Sequence, residues 1–369
     1  MKRISRRILK IILMLIVIVL ALVITINFPV TNFKHSESDL DYSSWMTDNL
    51  TSEQKIIDIA MLGAHDAFTN DITLFSKIDL LSADSIQTGT IGMLIKGFSM
   101  RQSRTQVSDA SELLANGVRY FDIRLSYNES KSAWYTSHTY YSRDFLEVLA
   151  EIETFLNDNP GEFLILDLQH IYGVDYTSQA DFQEIYALFD DAGILEYAYL
   201  EGDKVLSDVT YGDVTNNKQQ GGVIILSKFE EEDDSFWQYG SNIRSAWPNM
   251  DLDGEVFAFL DAESDLINAG NAMTGNQIPD NFYEQNSQNG FRVMQAVLTM
   301  QMSGEGILNA LTSWSLLERA KGFNVALIQA ENFTQWLEAM PIVMVDYSDT
   351  NKDGFLDEIM TKIIEYNTN

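Results

Sequence analysis

Apolar residues along this chain gather in short runs that end abruptly in polar or charged residues. Eight such runs cover residues 57–65, 118–124, 133–138, 163–170, 222–228, 291–299, 324–329 and 342–346. Several are nearly unbroken in Val, Ile and Leu, the pattern of strands buried on both faces in parallel sheets. Between some of them the period changes to that of a helix. Residues 145–156 are amphipathic at helical spacing and stop before Pro160, and 180–192 and 307–320 read the same way. Strands alternating with helices beyond residue 50 predict an α/β fold, a TIM-type (β/α)8 barrel. Functional groups in such a barrel collect at the C-terminal ends of strands. His65, Asp66, Arg124, His138, His170, Lys228 and Asp346 all fall at such ends. The long connections 68–109 and 229–290 are expected as active-site loops or lids. Trp237, Trp247, Phe257 and Phe259 in the second of these suit either insertion into a lipid interface or a satellite core.

The longest apolar run differs from the rest. Residues 11–26 are uncharged and almost wholly aliphatic, and Lys2, Arg3, Arg6, Arg7 and Lys10 precede them. The run, extended to residue 30, approaches the roughly 20 residues of a membrane span. No small-x-small cleavage site follows it, so an uncleaved signal anchor is expected, with a cleaved signal and a secreted protein as the alternative. The expected organisation is a basic cytoplasmic flank at 1–10, a transmembrane segment at 11–30, a linker at 31–50 and the barrel at 51–369. The basic flank places the barrel outside the cell membrane in a single-pass arrangement.

Composition narrows the chemistry. The chain of 369 residues has no cysteine, which excludes disulfides, thiolate metal sites and a cysteine nucleophile. Its net charge is -30, carried against five basic residues in the first ten, so the remainder stands at -35. Such a surface repels nucleic acid, and none is expected as a partner. It also repels anionic lipid, so a membrane substrate must be reached through a tether or a local patch.

There are only four histidines, and two of them flank an Asp-Ile-Arg at strand ends. Two imidazoles and a guanidinium suit a metal-free attack on a phosphodiester: one ring takes a proton, the other gives one, and the guanidinium holds the phosphoryl charge. Each residue also has a plainer reading. His65 and His138 suit structural histidines, and Arg124 suits a salt bridge to Asp66 or Asp122 at the barrel mouth. Asp122 suits an orienting role toward Arg124. Asp346 ends a very apolar strand, where a charge is costly unless paired, and His65 is the natural partner. Lys228 suits either a substrate contact or the surface, and Gln169 and His170 suit the pocket wall. The loop 349–357 carries Asp349, Asn351, Asp353, Gly354 and Asp357 at calcium-loop spacing but has Met360 where a bidentate Glu belongs. It reads as an acidic turn or a weak structural calcium site.

Four stretches together resemble the X domain of bacterial phosphatidylinositol-specific phospholipase C. They are Gly63-Ala64-His65-Asp66, Gly117-Val118-Arg119-Tyr120-Phe121-Asp122-Ile123-Arg124, Ser137-His138 and the strand from Pro160 to Leu168. Arg104-Thr105-Gln106 and the strands ending at Lys228 and Asp346 fit as well, so the resemblance covers roughly residues 50–369. It implies a distorted, incompletely closed barrel. It implies cleavage of phosphatidylinositol to diacylglycerol and inositol 1,2-cyclic phosphate by attack of the inositol 2-hydroxyl, without metal. Arg124 stands where the calcium-dependent branch has an acid. Carried over, His65 is the general base paired with Asp346, and His138 is the general acid paired with Asp66. Arg124 stabilises charge. Lys228, Gln169, His170 and Asp122 are the candidate substrate contacts beside them. The chain departs from the family pattern in four places. Thr139 follows the second histidine where the family usually has Gly. Gln169-His170 stands in place of a Lys, and Lys228 in place of an Arg. Met294-Gln295-Ala296 lacks an Asp-x-Tyr. A phosphodiesterase for another phospholipid or a glycerophosphodiester, and a non-catalytic surface binding module, remain as rival readings.

Overall fold

The computed structural model describes residues 6–27, 38–202, 204–230, 233–270, 289–301, 304–313 and 315–369. The basic residues Lys2 and Arg3 and positions 28–37 of the expected anchor and linker lie outside them. Ten strands form one sheet: β1 Met61–Ala64, β2 Val118–Asn128, β3 Ala133–His138, β4 Tyr140–Asp144, β5 Phe163–Tyr172, β6 Gly222–Ser227, β7 Phe236–Gln238, β8 Ile243–Ala246, β9 Phe291–Ala296 and β10 Ile342–Val345. The main path runs β7-β6-β5-β2-β1-β10-β9-β8. Every pairing along it is parallel. Among the described residues no ladder joins β7 to β8, so the sheet curls into a barrel that stays open at that seam. Its strands are buried on both faces, with β1, β6, β9 and β10 buried at every position.

Several segments differ from the sequence expectation. β3 is not a barrel strand but pairs antiparallel with β2 and β4, a hairpin laid over the cavity mouth. Residues 324–329 are not a strand. They end the helix Leu316–Gln329, whose buried Leu316, Leu317, Ala320, Phe323, Leu327 and Ile328 recur at helical period. The missing strands come from the 229–290 connection, which supplies β7 and β8 rather than a loop alone. The expected helix over 307–320 is two helices, divided before Ser315, whose hydroxyl accepts from the Glu318 amide. Residues 38–50 are packed rather than extended as a linker. Trp45 and Met46 are buried, and the Trp45 indole N–H donates to the Gly117 carbonyl at 3.1 Å. The fully buried Arg119 closes this end by pairing with Glu162 at 2.7 Å and donating to the Tyr42 and Ser43 carbonyls. Breaking that pair would leave a buried charge uncompensated, a cost of roughly 3–5 kcal/mol.

The N-terminal helix α1, Arg6–Asn27, has 22 residues. Among the described residues no helix is long and apolar enough to cross a membrane, so the expected transmembrane helix is not shown. Its side chains from Ile11 to Leu20 are about half exposed and join no hydrophobic cluster.

Candidate active site

The C-terminal ends of β1, β2, β5, β6 and β10, with the hairpin β3–β4 and residues 82–105, enclose a cavity of about 490 Å³. Parallel pairing of β1 with β10 aligns Ala64 with Val345, which brings the next residues, His65 and Asp346, side by side. His65 Nδ1 lies 2.7 Å from Asp346 Oδ1. The Gln106 amide donates to the His65 and Val345 carbonyls at 3.0 and 3.2 Å and so clamps both strand ends. Gly63 is required beneath them, because a Cβ there would lie 2.9 Å from the Tyr120 ring.

Asp66 is the hub. It is buried and holds a left-handed backbone, with φ 41°. The Thr105 hydroxyl donates to its carbonyl at 2.8 Å. Its carboxylate pairs with Arg124 Nε, lies 3.1 Å from His138 Nδ1 and lies 3.5 Å from His65 Nε2. Arg124 extends Nη2 to 3.4 Å from His65 Nε2 and 3.6 Å from Asp122 Oδ2. His138 Nδ1 also lies 2.9 Å from the Ser103 carbonyl. Two imidazoles and a guanidinium therefore converge on one carboxylate.

The electrostatics separate the two rings. Burial depresses the His65 pKa, but Asp66, Asp346 and Asp122 outweigh it and raise it to about 9. Burial lowers His138 below its ordinary value despite Asp66, helped by Arg124 and His65. Burial alone would raise Asp66, yet Arg124, His138 and His65 hold it down at about 2. At neutral pH these surroundings therefore favour a charged His65 and a neutral His138. The geometry pulls the other way at one point. Arg124 Nη2 can donate to His65 Nε2 only when that nitrogen is unprotonated, with Nδ1–H directed to Asp346. At 3.4 Å this contact is long, so the shorter Asp346 pairing and the surrounding carboxylates decide the resting state.

Deeper in the barrel lies a second polar group. The Tyr120 hydroxyl donates to the buried Asp167 at 2.5 Å. Burial, then Asp122, raises Asp167 to about 7, while burial lowers Lys228 to about 8. Lys228 donates to the Gln169 carbonyl and sits 4.6 Å from the Tyr239 ring centroid. His170, with its ring 4.3 Å from that of Tyr172, is lowered to about 4 by burial and then by Lys228 and Arg124, so it is neutral. On the far wall the Gln295 amide donates to the Ser245 hydroxyl at 2.7 Å. Trp247 stands at the rim, whereas Trp237 and Phe259 are buried in the core and Phe257 packs on Phe323 and Trp336.

All nine sequence-predicted residues, namely His65, Asp66, Asp122, Arg124, His138, Gln169, His170, Lys228 and Asp346, line this cavity. Sequence reasoning missed Ser103, Tyr172 and Ser245, and it named Trp247 only as a loop aromatic. It quoted Asp167 only as part of a strand, although an acid between Leu166 and Leu168 is itself a signal. Among the described residues one group of three, His65, Asp66 and Asp122, could hold a metal ion. Arg124 lies on both of its carboxylates. The acids of the loop 349–357 do not converge. Asp357 takes the Ser38, Tyr42 and Asn351 side chains, and Asp353 pairs with Lys352.

No protein-family model matches the chain. It is 34% identical over 158 residues to the variant-surface-glycoprotein phospholipase C of Trypanosoma brucei brucei, a match covering 39% of this chain and 44% of that protein. It is 28% identical over 144 residues to the human PI-PLC X domain-containing protein 3, covering 37% of this chain and 45% of that one. The chain thus spans less than half the length of these relatives, which are eukaryotic. The bacterial likeness is one of fold. The phosphatidylinositol-specific phospholipase C of Listeria monocytogenes superposes with TM-score 0.53 at 15% identity, over 89% of this chain and 99% of that one. A mutant of the Staphylococcus aureus enzyme superposes with TM-score 0.54 at 14% identity, over 89% and 97%.

Proposed function

We propose that this protein is a phospholipase C that cleaves phosphatidylinositol without a metal ion. The observation that carries this reading is the convergence of His65, His138 and Arg124 on Asp66 at the cavity floor. The trypanosome and X-domain relatives support it, as does the shared barrel. His65 takes the proton of the inositol 2-hydroxyl as that oxygen bonds to phosphorus. The bond from phosphorus to the glycerol oxygen breaks, and His138 gives that oxygen a proton. Arg124 holds the phosphoryl oxygens. Asp346 and Asp66 orient the two rings, and Lys228, Gln169, His170 and Asp122 face the head group. Arg124, paired with Asp66 and 3.6 Å from Asp122, would supply the positive charge that a cation would otherwise bring to His65, Asp66 and Asp122.

The neutral wall of His170, Gln295 and Ser245 favours a second reading, in which the head group is that of another phospholipid or a glycerophosphodiester. The test is an assay of a head-group panel with and without EDTA. Release of inositol phosphate from phosphatidylinositol in EDTA supports the first reading; release from other head groups alone replaces it. Binding without turnover of any of them would establish the non-catalytic rival.

We also propose that α1 is retained as a membrane anchor, with the barrel extracytoplasmic. This rests on the apolar run 11–26 and its basic flank. The protein should stay with membranes through alkaline carbonate extraction. A mature chain beginning after residue 28 would identify a cleaved signal instead.

A further inference from the structure

Large exposed apolar side chains outside α1 are unevenly spread. Of the twelve among the described residues, Phe75, Leu80, Leu81, Met93 and Leu94 lie within one twenty-residue stretch. Single exposed apolar residues are ordinary, but five of them along one short segment call for a partner surface. This stretch does have a core of its own. Ile72, Met100 and Tyr140 are buried together, with Leu74 and Ile78 against them. Phe75, at 95% exposure, and its four companions are left out of it.

Two further observations identify what covers them. The same segment forms the cavity mouth, through Ser82, Asp84, Gln87, Gln102 and Ser103. It also holds the end of α1. Asn27 Nδ2 donates to the Leu94 carbonyl at 2.6 Å, and Asn27 Oδ1 accepts from the Gly97 amide at 2.6 Å. Arg101 donates to the Asn27 carbonyl at 3.2 Å. The approach is close enough to require glycine, since a Cβ at position 97 would lie 2.4 Å from the Asn27 oxygen. Charge opposes this less here than elsewhere on the chain. In a chain at -30, residues 72–104 carry Lys77, Lys96, Arg101 and Arg104 against Asp79 and Asp84. Asp79 is buried beneath the Ser137 hydroxyl, while Lys77 is exposed. Arg101 is itself buried and Asp84 is exposed, so this is an apolar rim of nearly balanced charge on an acidic protein, and it can meet a lipid surface without the repulsion the rest of the chain would feel.

We propose that residues 75–94 form a lipid-inserting rim fastened to the end of α1, which aims the cavity mouth at the leaflet α1 enters. The protein then acts on lipid of its own membrane. This rests on the proposed phospholipid cleavage and on α1 as the anchor.

The absence of cysteine makes site-directed nitroxide labelling direct. Full-length Phe75→Cys, Leu81→Cys, Leu15→Cys and Val205→Cys would be labelled in vesicles of phosphatidylcholine and phosphatidylinositol. Val205 is exposed beside the strand N-termini, away from the mouth. Collision with oxygen against an aqueous nickel complex should place the 75 and 81 labels below the head groups, with 15 deeper and 205 in water. Labels at 75 and 81 as aqueous as that at 205 would overturn the rim while leaving the anchor intact. A water-exposed label at 15 would overturn both. In a kinetic arm, anchored protein should consume substrate in its own vesicles faster than in separate ones by on the order of 10²-fold, the gain of confinement. Equal rates would overturn action on the same membrane. Inserted labels with no cleavage of either lipid would support the rim and remove the proposed chemistry.

Discussion

His65 Nδ1 and Asp346 Oδ1 lie 2.7 Å apart, joining the end of β1 to the end of β10 across 281 positions of sequence. The pairing helps raise His65 to about 9 against the burial that lowers it. The acid–base pair needs a neutral His65 and a charged His138, whereas the resting order is the reverse. The competent form is then a constant minority between the two pKa values and falls outside them. The kcat/KM profile should be a broad bell with its alkaline limb near pH 9 and its acid limb below the ordinary histidine value. Asp346→Asn removes a raising charge, so the alkaline limb should move to lower pH. Its stability deficit should follow the same sign. A raised pKa stabilises the fold fully below about pH 6.5 and loses that contribution as pH climbs through about 9. The variant should therefore be less stable than the parent at pH 6 and closer to it at pH 10. An unmoved alkaline limb would show that His65 does not set it.

Arg124 should carry the electrostatic work that a cation would otherwise do. Activity is expected to survive EDTA, and Arg124→Ala should lose on the order of 10²–10³-fold in kcat. Arg124→Asp assayed with calcium could create a ligand beside Asp66 and Asp122. Loss of parent activity in EDTA, restored by calcium alone, would sink the metal-free mechanism.

Thr139 holds φ 64°, a conformation costly for a β-branched residue, at the turn immediately after His138. The resembled family usually has glycine here, which adopts this backbone without strain. Thr139→Gly should raise stability by about 1 kcal/mol, read from the denaturation midpoint. A lower midpoint would show that the Thr139 hydroxyl, 3.4 Å from Gln87 Oε1, matters more than its backbone.

The strands that position the site were legible because burial on both faces writes unbroken apolar runs, as in 163–170 and 342–346. Period was misread where the window was short. In 324–329, Asn324 looks like a strand start, yet it sits on a helix and donates to the Asp346 carbonyl at 2.9 Å. Residues 133–138 alternate as a strand should, but nothing local tells a barrel strand from a hairpin. His138 and Arg124 stood out as scarce residue types at strand ends, and Asp66 stood out by following His65. The Ser103 carbonyl that meets His138 did not, because a backbone acceptor leaves no mark on residue identity.

The two histidines should separate by leaving group. His65→Ala should lose on the order of 10²–10⁴-fold on every substrate, because it removes the base. His138→Ala should retain far more activity on an inositol phosphodiester bearing nitrophenol, which leaves without a proton, than on the lipid. Equal losses on both substrates would refute the general-acid assignment. Rescue of His65→Ala instead would reverse the two roles, as the resting protonation order allows.

The central claim is attack by the head group's own hydroxyl between two histidines without metal, and phosphorus NMR of the reaction reads it most directly. Phosphatidylinositol vesicles incubated with the full-length protein in EDTA should lose the phosphodiester signal and gain that of a five-membered cyclic phosphate. Appearance of the monoester with no cyclic species at the earliest times, or no change until a divalent cation is added, would contradict it.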